Sequence, residues 1–349
     1  MTNPFNITFG KEPNSIISRT NQLEEVFESF SNSPTNSNVY ILTGVRGSGK
    51  TVAMTNVCEH FKENKNYICL ELNPESDMLE QLAAKIYDEG SVKKLFIKKE
   101  FSLSFQGFTF QIKGETPITN ISTLLSKEFE YLKKKGIRVL ISVDEAVSNN
   151  YMKIFVHEFQ TFIRSNYDVY LIMTGLYQNI SLLENNKSLT FLYRAPKIYL
   201  DSLNMLAISN SYKEIFNINL EDSIKLAKFT CGYAYAYQLL GNLLYNEESK
   251  DLNGKIINKF DEIIYERAYK IIYSELTKVE KEILLSSIKS SINQDIINDC
   301  NISKAQLSIY KRNLILKGIL VNNREKIEFA LPRFKEFLNF VNTYENIEI

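Results

Sequence analysis

The sequence predicts an α/β fold in which a parallel sheet is covered by helices on both faces. Short apolar runs typical of strands alternate with segments of helical periodicity from residue 39 to about 200. One of these runs, Val139–Val143, is almost continuously apolar, which is typical of a strand buried on both faces. A glycine-rich loop between the first run and the helix after it indicates a phosphate-binding sheet.

The predicted elements of this region follow one another along the chain. A helix near 21–30 and a polar loop at 31–38 come first. The predicted strands are 39–43, 67–72, 138–143, 169–174 and 196–200, and the predicted helices lie near 50–64, 76–90, 117–135, 151–166 and 178–186. Alternating apolar and polar residues around a Gln-Gly turn predict a β-hairpin at about 101–113. This hairpin either extends the sheet edge, covers a helix, or forms an insertion that contacts a partner or DNA.

The remainder of the chain has a different pattern. Residues 202–270 are helical in periodicity without strands, which predicts a helical lid. Three predicted helices and two apolar runs around a polar turn at 323–325 then indicate a winged helix-turn-helix. The predicted domains are therefore an α/β nucleotide-binding domain at 1–201, the lid at 202–270 and the winged helix at 271–349.

The composition is that of a globular protein and excludes several classes of function. Lys and Arg number 41 and so do Asp and Glu, so no net charge marks the whole molecule as a nucleic-acid or membrane binder. The 4 cysteines form no C-x-x-C pair, which argues against a zinc site. The sequence starts without a signal-peptide pattern and contains no 18-residue apolar run, so we expect a cytoplasmic protein that does not contact a membrane.

The strongest motif is the run Gly44-Val-Arg-Gly-Ser-Gly-Lys-Thr51, which matches the phosphate-binding P-loop G-x-x-x-x-G-K-[ST]. Glycines let backbone N–H groups turn towards phosphates, and the following helix adds the positive end of its dipole. Lys50 would reach the β- and γ-phosphates of a nucleoside triphosphate, and the Thr51 hydroxyl would hold Mg²⁺. The predicted nucleotide contacts of this loop are Gly44, Arg46, Gly47, Ser48, Gly49, Lys50 and Thr51.

Two further strand ends carry candidate catalytic residues. Val139–Val143 is followed by Asp144, which would support Mg²⁺, and by Glu145, which would polarise an attacking water. The strand at 169–174 ends in Thr174, which sheet order would place beside the γ-phosphate, where it would hold the lytic water. A strand end solubilised by Asp-Glu and an ordinary Thr-Gly turn are the alternatives.

In this order, the motifs resemble the AAA+ superfamily near its origin-initiator branch, together with the related STAND and archaeal-type ATPases. The N-terminal segment from Asn3 to Glu24 resembles the one that contacts adenine in these families, and it places Arg19 at the nucleotide. Arg194 lies where such families carry an arginine finger, which stabilises transition-state charge on the ATP of a neighbouring protomer. A surface arginine ahead of a strand is the alternative.

The lid departs from the pattern of these families. Initiator-type proteins carry a sensor arginine in the place of residues 230–236, where this chain has none. STAND proteins often have Gly-x-Pro there, and here Ala234 replaces the proline. The departure predicts slow hydrolysis and tightly held ADP.

The predicted recognition helix, Ser303–Gly318, presents residue types that contact phosphates and base edges. The candidate contacts to double-stranded DNA are Lys304, Lys311, Arg312 and Arg324. Residues 270–349 contain 12 Lys or Arg against 10 Asp or Glu, a surplus of about +2 that is small for a DNA-binding domain. Docking of a protein, or of another part of the chain, therefore stays open.

The sequence thus predicts an ATP-binding AAA+ type ATPase in which Mg²⁺-dependent hydrolysis drives a conformational or assembly switch. ATP would promote association into a homo-oligomer, and the winged helix would contact DNA. The alternative is a STAND-like signalling switch that holds ADP and acts on a protein partner.

Overall fold

The computed structural model describes residues 2–8, 13–90, 92, 120–185, 189 and 191–345. The predicted hairpin at 101–113 lies outside these residues. The chain divides into two compact units. The sheet unit comprises Thr20–Thr43 and Lys50–Tyr199, and the helical unit comprises Met1–Arg19, Gly44–Gly49 and Leu200–Ile349. The division into three domains stays a prediction.

The sheet unit contains five parallel strands in the order β2-β3-β4-β1-β5. The strands are β1 (Val39–Thr43), β2 (Tyr67–Glu71), β3 (Arg138–Val143), β4 (Val169–Gly175) and β5 (Lys197–Tyr199). Every residue of β1 and β4 is buried, as expected for strands covered on both faces. The predicted parallel α/β sheet of a P-loop nucleotide-binding fold is confirmed.

One helix of the sheet unit precedes β1, and the others lie between the strands along the chain, as the alternation predicts. The helices are α1 (Thr20–Ser31), α2 (Lys50–Lys62), α3 (Met78–Asp88), α4 (Ile121–Lys134), α5 (Asn150–Arg164) and α6 (Tyr177–Glu184), with a 3₁₀ turn at Leu192–Arg194. Local caps set several starts; the Asp77 carboxylate, for example, accepts the N–H groups of Leu79 and Glu80. The apolar faces of α3, α4, α5 and α6 form one core with strands β1–β4.

The helical unit has a second core, built on the predicted lid and the C-terminal helices. Its helices are α7 (Met205–Phe216), α8 (Leu220–Phe229), α9 (Ala234–Asn246), α10 (Gly254–Ile264), α11 (Lys270–Ser274), α12 (Lys278–Lys289), α13 (Asn293–Asp299), α14 (Lys304–Leu316) and α15 (Phe334–Glu345), with a π-helical turn at Tyr265–Tyr269 between α10 and α11. The N-terminal Phe5 packs into this core, where its ring stacks on Phe216 at 5.8 Å between centroids.

Two antiparallel bridges lie among the C-terminal helices α12, α13 and α14 and the turn that follows α14. Leu320 pairs with Phe329, and Ile292 pairs with Lys326. The two strands that the sequence predicts at 319–322 and 327–331 are therefore reduced to one bridge, between Leu320 and Phe329, in the described structure. A buried ion pair between Lys317 and Glu280, at 2.8 Å, links the end of α14 to α12.

None of the described helices is both long enough and apolar enough to cross a membrane.

Candidate nucleotide-binding site

The P-loop backbone needs its glycines. Gly47 and Gly49 have φ values of 76° and 88°, in the left-handed region that favours glycine. A Cβ at Gly44 would lie 2.7 Å from the Ser48 Oγ atom. The three glycines of the motif thus allow a tight loop that side chains would block.

The backbone N–H groups of the loop differ in whether they are hydrogen-bonded. The Ser48 N–H donates to the Val45 carbonyl at 3.1 Å. The N–H groups of Gly47 and Gly49, by contrast, bond to none of the described residues. Amides of this kind, next to the start of α2, are the groups that bind phosphate in such loops.

The carboxyl ends of β3 and β4 meet the start of α2 within the sheet unit. The Thr51 hydroxyl donates to Asp144 Oδ2 at 2.9 Å, and the Thr174 hydroxyl donates to Asp144 Oδ1. The N–H of Glu145 in turn donates to Thr174 Oγ1 at 3.0 Å. The sequence-predicted metal and catalytic residues of these three elements therefore form one hydrogen-bonded group.

The residues present fit a nucleotide with Mg²⁺. The buried Ser48 hydroxyl has no hydrogen-bond partner in the described structure, which leaves a polar group for a ligand. A hydroxyl and a carboxylate, those of Thr51 and Asp144, supply the hard oxygen atoms that Mg²⁺ prefers.

Glu145 and Thr174 are placed differently around Asp144. Glu145 is exposed and has a φ of 52°, a left-handed conformation that costs energy for a residue other than glycine. Thr174 is fully buried, and its hydroxyl both donates and accepts within the group. This geometry suits Thr174 for orienting Asp144 and the Glu145 backbone, while the water-holding role stays a prediction.

Arg19 and Arg46, two predicted nucleotide contacts, bond to the protein in the structure. Arg19 donates to the Ser48 carbonyl at 3.0 Å, and burial lowers the pKa of its guanidinium from the usual value, opposed by the Asp201 carboxylate. Arg46 approaches Glu275 at 3.7 Å. Both contacts lie within the helical unit.

Arg194 ends the 3₁₀ turn before β5 and is exposed. Its side chain pairs with none of the described residues. Its role as an arginine finger stays a prediction.

The prediction that Lys311 faces solvent or DNA is wrong. Lys311 is 7% exposed, and its amino group donates to Asn293 Oδ1, the Asn323 carbonyl and the Lys326 carbonyl at 2.6–2.9 Å. Burial lowers the pKa of this amine. Lys304, Arg312 and Arg324, the other predicted DNA contacts, are exposed.

Sequence reasoning missed two residues that contact the loop. The Tyr233 hydroxyl donates to the Arg46 carbonyl at 2.6 Å, and the Tyr235 N–H donates to the Gly47 carbonyl at 3.1 Å. The available signal was the unusual lid run Gly232-Tyr-Ala-Tyr, which has a tyrosine beside the position of the missing proline.

Comparisons with known proteins place this geometry in context. A family model described as the res subunit of type III restriction enzymes matches residues 16–187. No curated protein matches the sequence.

Two solved structures share the fold over nearly their whole length. A Walker-type ATPase of Pyrococcus abyssi aligns with a TM-score of 0.64 at 15% identity, over 96% of this chain and 99% of its own. The ORC2 protein of Aeropyrum pernix, solved in ADPNP-ADP complexes, aligns with a TM-score of 0.55 at 12% identity, over 97% of this chain and 98% of its own. These matches confirm the predicted fold class: the chain shares the P-loop α/β fold of these two proteins.

Proposed function

We propose that the protein binds ATP at the P-loop and hydrolyses it with Mg²⁺ as a conformational switch. The observation that carries this proposal is the hydrogen-bonded group of Thr51, Asp144, Thr174 and Glu145. Thr51 ends the P-loop motif, so chain connectivity places this group directly after the phosphate-binding amides.

Each residue has a distinct role in the proposed reaction. The Gly47 and Gly49 amides and the Lys50 ammonium bind the phosphates, and Thr51 and Asp144 hold the metal. Mg²⁺, when bound, would neutralise charge on the β- and γ-phosphates. The exposed Glu145 carboxylate accepts a proton from the attacking water, since it lies next to Asp144 and is open to solvent.

A binding measurement tests the nucleotide site. Lys50→Ala should weaken ATP and ADP binding by about 100-fold or more, because the phosphates lose a charge-assisted partner. Lys62→Ala is the matched control: it removes an exposed lysine from the other end of α2, whose side chain pairs with Glu59 and with no other described residue. Equal affinities of Lys50→Ala and wild type, by calorimetry, would refute the site.

We further propose that Arg194 acts on the nucleotide of a neighbouring protomer. Its exposure and its lack of a partner among the described residues support this role. Arg194→Ala should lower the hydrolysis rate of concentrated, associated protein and leave that of dilute monomer unchanged. An equal loss in the monomer would show that Arg194 acts within its own chain or stabilises it.

Association with duplex DNA through α14 is the finer part of the proposal. Lys304 and Arg312 lie eight residues apart on α14, a spacing that places them on one side of the helix. Lys304→Ala should weaken DNA binding and reduce its dependence on salt by about one counterion, whereas Lys335→Ala, on α15, should not. Identical salt slopes for the two variants would contradict DNA contact by this face.

A nucleotide-held switch acting on a protein partner is the second candidate. The lid turn favours it, because Tyr233 and Ala234 occupy the region where a hydrolysis-promoting arginine is expected and Tyr233 contacts the P-loop instead. Mass spectrometry of the denatured, freshly purified protein would reveal bound ADP in this case. Nucleotide-free protein that turns over added ATP rapidly would exclude it.

A further inference from the structure

The three carbonyls at the turn of the P-loop each accept a hydrogen bond from within the helical unit. Arg46 O accepts from the Tyr233 hydroxyl, Gly47 O from the Tyr235 N–H, and Ser48 O from the Arg19 guanidinium. These three contacts are here called the carbonyl clamp. They use donors from two distant parts of the sequence, the segment before α1 and the start of α9.

Because peptide units are planar, the clamp also fixes the direction of N–H groups on the opposite side of the loop. The C=O and N–H of a trans peptide unit point in opposite directions. Holding the Arg46 carbonyl therefore orients the Gly47 N–H, and holding the Ser48 carbonyl orients the Gly49 N–H. Neither of these two amides bonds to any of the described residues. The clamp thus sets the direction of the free amides.

Tyr233, which donates to the Arg46 carbonyl in the clamp, follows a tightly constrained turn. Cys231 and Gly232 have φ values of 48° and 73°, and the Leu203 N–H donates to the Gly232 carbonyl at 2.8 Å. A Cβ at Gly232 would lie 2.8 Å from the Leu203 carbonyl, so the turn leaves no room for a side chain there. The turn delivers Tyr233 to the loop in a fixed position.

Tyr233 also packs directly on the loop. It is 5% exposed, and a Cβ at Gly47 would lie 2.5 Å from its hydroxyl oxygen. Burial raises the pKa of this phenol, so the hydroxyl remains a donor throughout the physiological range. Tyr235 differs, because it donates through its backbone and its hydroxyl makes no hydrogen bond to the loop.

We propose that Tyr233 is a positioning residue for nucleotide binding, which pre-orients the Gly47 amide towards the phosphates by holding the Arg46 carbonyl. This inference rests on the proposed function, since it concerns the same nucleotide. Tyr233 belongs to the lid segment, so the lid contributes to the phosphate site through the loop backbone and without an arginine.

Two conservative variants test the proposal. Tyr233→Phe removes the hydroxyl that holds the Arg46 carbonyl, and Tyr310→Phe removes a hydroxyl on α14 that bonds to none of the described residues. Tyr233→Phe should weaken ADP binding by about fivefold, the effect of one hydrogen bond, while Tyr310→Phe binds as wild type. Hydrogen exchange of the nucleotide-free protein gives a second readout. The Ser48 and Tyr235 amides, whose acceptors Val45 O and Gly47 O belong to the loop, should exchange faster in Tyr233→Phe alone.

The outcomes separate this inference from the proposed function. Equal ADP affinity and equal exchange in both variants, with a wild type that binds ADP, would overturn the role of Tyr233 alone. A wild type that binds no nucleotide would overturn the proposed function, whereas faster exchange in Tyr233→Phe would still support the clamp. Unchanged thermal unfolding of both variants checks that each is folded.

Discussion

The carboxyl ends of β3 and β4 and the surface of α14 both carry predicted functional residues, but the two regions differ in how far sequence determines them. At the strand ends, Asp144, Glu145 and Thr174 meet in one hydrogen-bonded group. On α14, Lys304 and Arg312 are exposed but Lys311 is buried. Parallel strands bring their ends to one edge whatever the details of packing, whereas the exposure of a helical residue depends on which elements cover it.

The burial of Lys311 shows what decides exposure on such a helix. Lys311 follows Leu307 by four residues and precedes Leu314 by three, so all three lie on one face of α14. Leu307 and Leu314 are buried. The amino group at the end of the long Lys311 side chain donates to acceptors in α13 and in the turn that follows α14. The residue therefore stabilises this fold from inside.

The largest effect that would test the strand-end group is on turnover. Glu145→Gln should lower the rate of ATP hydrolysis by about 10²- to 10⁴-fold, because an amide cannot accept the proton of the attacking water. ATP affinity should stay close to that of wild type, since the phosphate contacts are intact. Single-turnover hydrolysis and equilibrium binding measure the two quantities separately.

The matched control for this variant is Glu71→Gln. Glu71 is also an exposed glutamate at the carboxyl end of a parallel strand, β2, and Glu71→Gln should hydrolyse ATP as wild type does. Equal losses in both variants would show that position at the sheet edge, and not the contact group around Asp144, determines the effect.

The free energy of unfolding should respond differently to removal of the buried Lys311 and of the exposed Arg312 on α14. Lys311→Ala should lower the free energy of unfolding by about 2–3 kcal/mol, because three acceptors lose a charged donor. Arg312→Ala, at the exposed neighbour, should change it by less than about 0.5 kcal/mol. Urea denaturation of the two variants makes the comparison, and similar values for both would contradict the burial of Lys311.

Substitution of Thr174 should change turnover by a smaller factor and tests the role of its hydroxyl. Thr174→Val conserves the shape but removes the hydroxyl that joins Asp144 to the Glu145 N–H, and should reduce turnover by about tenfold. Thr174→Ser retains the hydroxyl and should remain near the wild-type rate. If both substitutions lower turnover equally, the loss reflects packing and not the hydrogen bonds.

The sequence predicted the parallel sheet correctly, and the reason is physical. Strands buried on both faces must be apolar along their length, so β1 and β3 have the bounds that the sequence predicts, 39–43 and 138–143. The P-loop and the Asp-Glu pair follow directly from those strands. Their chemistry is local in sequence and needs no tertiary information.

The contacts that sequence reasoning missed are set by tertiary structure. Tyr233 lies 187 residues from Arg46, and Arg19 lies 29 from Ser48. The run Gly232-Tyr-Ala-Tyr marks the lid turn as unusual, but it does not indicate which distant carbonyl the tyrosine contacts. Arg19 was predicted to contact nucleotide from resemblance, and its bond to Ser48 O became visible only in the structure.

The most direct test of the central claim is phosphate release from ATP by purified wild-type protein and by Lys50→Ala, with and without Mg²⁺. An ATPase acting through the P-loop predicts release that needs both Lys50 and Mg²⁺, even if it is slow. Equal release by the two proteins, or none from a wild type that binds ATP with Mg²⁺, would contradict hydrolysis at this site.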